Sequence, residues 1–478
     1  MGSDEQHMVM IPFMAQGHIR PFLALAKRIH ERTNFTITIA NTPLNIQYLK
    51  SATSTSSGIH FAELPFNSTQ HGLPPNTENT EKLTISDMPK LFHSSKSLEP
   101  HLHRLVSEIT SRQGKPPLCI ISDVFLGWVA NVAKSLGTKN ITYATGGAYG
   151  TLAYVSLWLN LPHRKTDSDE FWVPGFPENY RFQPTQLHRV LRAADGTDIW
   201  SNFFQTQIAI SIRSDGWLCN SVEEIEPLGF ELLRKYINLP VWPIGPVLVT
   251  DSKHIKHKVE TEKFIEWLNL KEPKSVLFIC FGSQNTISAS QMMALAEGLE
   301  LSGKSFIWVV RPPVGFDING EFRAEWLPEG FEQRMGETNK GLLVRNWAPQ
   351  LEILSHRSTG AFLSHCGWNS VLESLSRGVP IIGWPLAAEQ AYNSKILMEE
   401  MGVNVELTRT VESVISGEKV KNVIELVMGS EGKGKEMKEK ANENAEQIRK
   451  ATMEDGEEKG SSLRAMDDFV GTILSSTC

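Results

Sequence analysis

Short apolar runs alternate with longer helical patterns along most of the chain, and this rhythm constrains the fold more than any other feature. Residues 8–13, 35–40, 59–64, 118–122 and 140–143 read as strands buried on both faces. Between them, 21–32, 88–111 and 125–136 carry helical patterns. A second series of strands follows at 276–281, 306–310, 342–346, 360–364 and 380–384, with helices at 289–301, 370–376 and 389–400. Strands separated by helices predict parallel sheets of the α/β class. A chain of 478 residues is too long for one ordinary core, so two domains are expected. The seam is read at 240–258, where VWPIGP gives way to a polar, His- and Lys-rich stretch suited to an exposed linker. The predicted division is a first domain over 1–245, a linker over 246–260, a second domain over 261–458 and a final helix over 459–478. Residues 51–58, 67–80 and 164–170 read as loops, and no short solenoid repeat is present. The expected architecture is two doubly wound, Rossmann-like domains facing a central cleft at their strand ends.

The segment from Trp347 to Gln390 concentrates the chemistry: WAPQLEILSHRSTGAFLSHCGWNSVLESLSRGVPIIGWPLAAEQ. It contains a strand, a tight turn at His365-Cys366-Gly367-Trp368 and a helix opening at Asn369-Ser370. Such a strand–turn–helix aims backbone N–H groups and a positive helix end at one point, which suits a phosphate. Trp347 offers a flat ring for a base, and Glu373, Glu389 and Gln390 offer acceptors for hydroxyls. Together they describe a pocket for a nucleotide sugar. Taken singly, each residue also fits an ordinary role. Glu373 stands three residues after Ser370, the spacing of a helix capping box. Trp347 can be plain packing and His365 a structural histidine.

Without a gap over its length, this segment resembles the signature box of plant secondary-product glycosyltransferases, the plant family 1 enzymes that use UDP-sugars. The resemblance implies the two-domain architecture called GT-B, with the last helix packing back on the first domain. It implies that Trp347 stacks on uracil beside Ala348 and Gln350, and that Glu373 holds the ribose. His365, Gly367, Asn369 and Ser370 would take the diphosphate; Trp368, Glu389 and Gln390 would read the sugar. Many relatives have Asp where this chain has Glu389, which keeps the carboxylate. The closing Gln390 favours glucose, so UDP-glucose is the expected co-substrate, with no cofactor.

The second informative stretch is Met14-Ala15-Gln16-Gly17-His18-Ile19-Arg20-Pro21, after the first strand. Gly17 is read as permitting an unusual turn, and Pro21 as suiting a first helical turn. His18 then lies near a positive helix end, which favours the neutral imidazole that a base needs. The local alternative is that His18 only caps the helix. The family resemblance places the catalytic histidine at His18 and its orienting partner at Asp123, which ends the strand at 118–122. Asp123 can also be read as the N-cap of a helix over 124–136. The implied reaction is a single displacement with inversion, driven by the acceptor's own hydroxyl. Ser283, in Phe281-Gly282-Ser283-Gln284, would help hold the departing UDP, with Gly282 letting phosphate approach. Thr145, at another strand end, matches a position that contacts the sugar in relatives.

Composition narrows the alternatives. Hydrophobic residues at 41% and charged residues at 21% are those of a soluble globular chain. A net charge of −7 without a basic tract argues against nucleic acid as a partner. The five scattered cysteines show no zinc spacing and fit reduced thiols in the cytoplasm. The start MGSDEQH lacks the pattern of a secretory signal, and Gln6 argues against myristoylation. No stretch near the C-terminus suits a membrane span; the expected protein is cytoplasmic and a monomer. Asp167-Ser168-Asp169 has the form of a metal-binding pair of carboxylates but lies in a charged loop, and no metal is expected. His101 and His103, and His254 and His257, read as solvated pairs. Gly146-Gly147-Ala148-Tyr149-Gly150 is not a dinucleotide fingerprint and is read as bordering the acceptor pocket.

A small-molecule acceptor, phenolic or terpenoid and even an existing glucoside, is expected against Phe13, Phe92, Tyr149, Trp158, Trp200, Phe203 and Phe204. Arg20 stands where relatives commonly have an apolar residue, and it would draw an acidic or polyhydroxylated acceptor if it faced the cleft. Two rival classes are a glycoside hydrolase using Glu373 and Glu389 as paired carboxylates, and a nucleotide-sugar binder without catalysis. The first lacks a use for a uracil platform, and the second a use for His18 and Asp123.

Overall fold

The computed structural model describes residues 6–53, 58–84, 86–248, 254–345, 347–410, 412–454 and 459–475, with backbone only at 82 and 254–260. The chain divides into two compact units. The first comprises Met1–Pro184, Val190–Lys253 and Lys450–Cys478; the second comprises Thr185–Arg189 and His254–Arg449.

The first unit is built on seven strands: β1 (His7–Ile11), β2 (Thr36–Asn41), β3 (Ile59–Glu63), β4 (Cys119–Asp123), β5 (Lys139–Ala144), β8 (Gly216–Cys219) and β9 (Val241–Pro243). They form one parallel sheet of order β3-β2-β1-β4-β5-β8-β9. A short antiparallel pair, β6 (Phe171–Trp172) and β7 (Arg181–Phe182), stands apart. The second unit holds six strands: β10 (Val276–Cys280), β11 (Ser305–Val310), β12 (Gly341–Arg345), β13 (Thr359–Ser364), β14 (Ile381–Gly383) and β15 (Asn404–Glu406). These too form a parallel sheet, of order β12-β11-β10-β13-β14-β15.

Both sheets are doubly wound, as the strand–helix rhythm predicts. The β1, β2 and β4 strands are buried along their whole length, because helices cover both faces of a parallel sheet. Strand order reverses between β1 and β4 in the first sheet and between β10 and β13 in the second. At such a switch point the loops after neighbouring strands run to opposite faces and leave a crevice, the usual place for a ligand. Ile11 pairs with Ser122 across the first switch and Cys280 with Ser364 across the second. Asp123 ends β4, His18 lies in the first turn of the helix after β1, and Ser283 and His365 lie in the loops after β10 and β13.

Three local expectations change. Val241–Pro243, read as the start of a linker, is the buried edge strand β9. Prolines are tolerated at a sheet edge, where their missing N–H is not needed. Arg28 fastens the next residues by donating to the carbonyls of Ile244 (3.0 Å) and Pro246 (3.1 Å). The chain is helical again from His254, inside the predicted linker. The side chains of His254 and His257 lie outside the described residues. The helix predicted over 88–111 is broken into Met88–Ser94, a 3-10 turn at Ser95–Leu98 and Glu99–Gln113, the last restarting with Pro100 in its first turn. His101 and His103 lie on that last helix.

The final helix, Ser461–Ser475, belongs to the first unit. Met466, Phe469 and Ile473 join the core formed by Met8, Ile37, Leu218 and Trp242. Trp242 Nε1 donates to Asp468 at 2.7 Å, and Arg32 pairs with Asp467 at 2.8 Å. Among the described residues, no helix is long and apolar enough to cross a membrane.

Candidate active site

At the first switch point, His18 Nδ1 donates to Asp123 Oδ2 at 2.6 Å. The Asp123 side chain is fully buried and that of His18 is 22% exposed. The short contact joins an imidazole open to solvent to a carboxylate that water does not reach. His18 is the third residue of the helix Gln16–Thr33, and that helix has no side-chain cap, so the ring is not spent on capping. Asp123 serves twice. Its Oδ1 accepts the N–H of Phe125 at 3.0 Å, while Oδ2 holds His18. The helix expected over 124–136 begins only at Val129, so Asp123 closes a turn and is not a helix N-cap.

Two further readings of this stretch are corrected. Gly17 has ordinary helical geometry, and a Cβ there would meet nothing within 4 Å, so it supplies no unusual turn. Pro21 sits inside the helix and not in its first turn.

Aromatic rings gather beside His18. Phe13 lies 5.7 Å from the imidazole, edge to face, and Phe125 lies 5.4 Å away. Phe13 continues to Phe92 at 4.4 Å, and Phe92 to Trp200, Phe203 and Phe204 at 5.1, 5.3 and 5.5 Å. Trp158 stacks on Phe204 at 4.4 Å. Phe125 and Tyr154, which sequence reasoning passed over, close the cluster through Phe204 at 5.2 and 5.8 Å. The signal for Phe125 was its place two residues after Asp123; Tyr154 is one turn before Trp158 on the same helix.

Two predicted acceptor residues lie elsewhere. Tyr149 is buried against Phe176 at 5.0 Å, at the start of the helix Ala148–Asn160. Its N–H and that of Ala148 donate to the buried Glu226 at 3.1 and 3.0 Å, which draws this end of the helix inward. Arg20 lines a cavity of about 530 Å³ with Leu23, Ala24, Lys27 and Leu248. Those helix residues fall on a different face from His18, because two helical positions are turned by about 200°. Thr145 directly follows β5, and Asp167 and Asp169 are in an exposed loop. Among the described residues, no cluster of His, Cys, Asp or Glu is arranged for a metal.

In the second unit the remaining predicted residues lie in the segments that follow β10, β12, β13 and β14. Trp347 follows β12 and is 39% exposed. Ala348 is buried next to it, and Gln350 opens the helix Gln350–Ser355. Gln350 Nε2 reaches Ser370 Oγ at 3.0 Å and Glu373 Oε2 at 2.7 Å, which fixes both side chains on one side of the helix Trp368–Leu375. The N-cap of that helix is Gly367, so Ser370 and Glu373 form no capping box. Asn369 lies in the first turn, and the Trp368 side chain is buried.

His365 is buried, and burial pushes its imidazole down to about 4, so it is neutral near pH 7. Gly282, at φ +79°, lets the loop after β10 pass against this ring; a Cβ there would stand 2.9 Å from His365 Nε2. Ser283 follows, exposed, with its carbonyl accepting from Arg311 at 3.2 Å. Arg311 was not singled out from sequence; its signal was a charged residue directly after β11. Cys366 is held in the left-handed region at φ 63°, which turns the chain from β13 into the next helix. Gln390 is buried, and its Oε1 accepts from the N–H groups of Leu386 and Ala387 at 2.9 Å each. Glu389 is the N-cap residue of the helix Gln390–Glu399.

Comparison with known proteins gives the class of the chain: transferases that act on nucleotide sugars. The model of the family "UDP-glucoronosyl and UDP-glucosyl transferase" matches residues 199–441. UDP-glycosyltransferase 92A1 of Arabidopsis thaliana is 44% identical over 474 residues, covering 98% of this chain and 97% of the relative. Crocetin glucosyltransferase 3 of Crocus sativus is 47% identical over 414 residues, covering 83% and 85%. The structure of Medicago truncatula UGT71G1 complexed with UDP-glucose is similar with a TM-score of 0.81 at 25% identity, covering 98% of each chain. The chain belongs to this family of UDP-glycosyltransferases and is a UDP-sugar-dependent glycosyltransferase with the GT-B fold.

Proposed function

We propose that the protein transfers glucose from UDP-glucose to a hydroxyl of a small, largely apolar plant metabolite, with inversion and without a metal. The observation that carries the reading is the 2.6 Å contact between His18 and the buried Asp123 at the first switch point. His18 Nε2 takes the acceptor's proton as the acceptor oxygen attacks the anomeric carbon. The bond from that carbon to the UDP oxygen breaks, and UDP leaves with the electron pair. Asp123 offsets the charge of the imidazolium, as a buried carboxylate does for a catalytic histidine.

The base belongs to the first unit and the donor-binding residues to the second. Trp347 stacks on uracil, with Ala348 and Gln350 at its side. Glu373 holds the ribose, kept in place by Gln350. His365, Ser283 and the N–H groups of Gly367, Asn369 and Ser370 take the diphosphate and its growing charge. Glu389, Gln390 and Thr145 read the sugar; Trp368 acts through its backbone, since its ring is buried. Glucose is supported by Gln390 and by the name of the crocetin glucosyltransferase.

Phe92, Phe125 and Trp200 line the acceptor side, backed by the buried rings of Phe13, Phe203 and Phe204. Rings of this kind favour a flat phenolic or terpenoid body over a sugar. Among the described residues, Cys119, Cys219, Cys280 and Cys366 are unpaired, which fits a reducing cytoplasm, where the enzyme works as a monomer.

The test combines UDP-glucose with candidate acceptors and reads the anomeric configuration of the product by NMR. A β-linked glucoside from the α-linked donor agrees with inversion. An α-linked product, or a requirement for divalent cation that chelator exposes, sinks the mechanism.

A further inference from the structure

Asn393 is fully buried in the helix Gln390–Glu399, four residues after Glu389. Its side-chain amide spans two parts of the donor site that are distant in sequence. Nδ2 donates to the carbonyl of Cys366 at 2.9 Å and to Glu389 Oε1 at 3.3 Å. The first contact fixes the left-handed residue between His365 and Gly367. A non-glycine residue held there needs its surroundings to determine it, since the conformation itself is unfavourable. The second contact holds the carboxylate at the start of the helix that carries Asn393. An amide supplies two N–H donors from one nitrogen, and both are used here. Its Oδ1 is buried with no hydrogen-bond partner among the described residues. A buried, unpaired acceptor destabilises a fold, so a side chain chosen for packing alone would omit it.

We propose that Asn393 is a positioning residue for donor choice: it couples the turn that takes the diphosphate to the carboxylate that reads the sugar. The inference rests on the donor-site reading given above. Without Asn393, Glu389 loses its fixed direction, and the preference for one hexose over another falls with it. UDP itself, which lacks the sugar, loses less.

The experiment measures Kd for UDP and for UDP-glucose by calorimetry on the full chain, and kcat/KM with UDP-glucose and UDP-galactose. It compares wild type with Asn393→Ala and Asn393→Asp, each checked by thermal unfolding. Asn393→Asp is the same size, so it remains informative if the alanine variant does not fold. It places a second carboxylate beside Glu389. The expected result is at least a tenfold fall in the glucose-to-galactose ratio of kcat/KM in either variant, with the Kd for UDP changed less than threefold. Folded variants that keep the wild-type sugar ratio would overturn the proposal. Equal weakening for UDP and UDP-glucose, with the ratio intact, would also overturn it by reducing Asn393 to a support for the turn. Wild-type protein that binds UDP but not UDP-glucose would indict the sugar-site reading instead, so the two failures are distinct.

Discussion

Asp123 holds His18 with one carboxylate oxygen and the backbone N–H of Phe125 with the other. One buried side chain therefore sets both the direction of the base and the path of the loop that brings Phe125 against it. Replacing the carboxylate by an amide keeps much of this shape and removes the charge. Asp123→Asn is predicted to lower kcat on the order of 10²–10⁴-fold, as loss of the carboxylate behind a catalytic histidine does. The Kd for UDP-glucose should stay within about twofold. A variant with near-normal kcat would remove Asp123 from the mechanism.

Gly282 and His365 make a second testable pair. The positive φ of Gly282 and the 2.9 Å approach of a Cβ to His365 Nε2 both oppose a side chain. Gly282→Ala is predicted to raise the KM for UDP-glucose by roughly tenfold or more and to lower stability by about 1–2 kcal/mol. Steady-state kinetics and a denaturant titration check it; an unchanged KM would show that the loop does not shape the donor site.

Glu226 gives a prediction for pH. Its buried carboxyl accepts from Ser221 Oγ at 2.5 Å as well as from the N–H groups of Ala148 and Tyr149. Burial, opposed by those hydrogen bonds, pushes it from 4.5 up to about 7. Between those values the folded protein holds a proton that the unfolded chain has released. Its effect is therefore favourable at low pH and lost as pH rises through the window, by at most roughly 1.4 kcal/mol per pH unit. His365 acts in the opposite sense. Its folded value of about 4 lies below 6.5, so its effect is lost as pH falls through that range. Glu226→Gln should flatten the decline in stability between about pH 5 and 7, measured by chemical denaturation, relative to wild type. An identical slope in both proteins would contradict the assignment.

The aromatic cluster and the cavity near Arg20 separate two ideas about the acceptor. Phe92 touches Phe13, Phe125, Trp200, Phe203 and Phe204, whereas Arg20 lines a different face of its helix. Phe92→Ala should raise the acceptor KM by roughly 2–10-fold, the range for losing aromatic contacts. Arg20→Ala should leave acceptor KM values unchanged, even for acids and glucosides. A selective loss of acidic acceptors in Arg20→Ala would restore it to the acceptor site.

Strands buried on both faces were legible because short, continuous apolar runs between helical patterns fit little else, as β1, β2 and β10 show. Five strands were not legible, among them the two-residue pair Phe171–Trp172 and Arg181–Phe182. Gly216–Cys219 and Asn404–Glu406 are too short to show a pattern, and Val241–Pro243 is masked by prolines that an edge position tolerates. In the site, the family resemblance assigned Gln350, Ser370 and Glu373 to one donor pocket, and hydrogen bonds join the three. It did not foretell which aromatics face His18. Tyr149 looked equivalent to Trp200, yet the distant Glu226 fixes the helix end that carries it. Asn393 was open to inference, since it stands one helical turn after Glu389, but its other partner, Cys366, depends on the fold.

The central claim is that His18 is the base. Its most direct test is a panel of flavonols, simple phenols, terpenoid alcohols, terpenoid acids and existing glucosides, incubated with UDP-glucose and read by mass spectrometry beside His18→Ala. The predicted result is a gain of one hexose on at least one acceptor, abolished in a His18→Ala variant that still binds UDP-glucose. Product formed at a normal rate by His18→Ala would contradict the account.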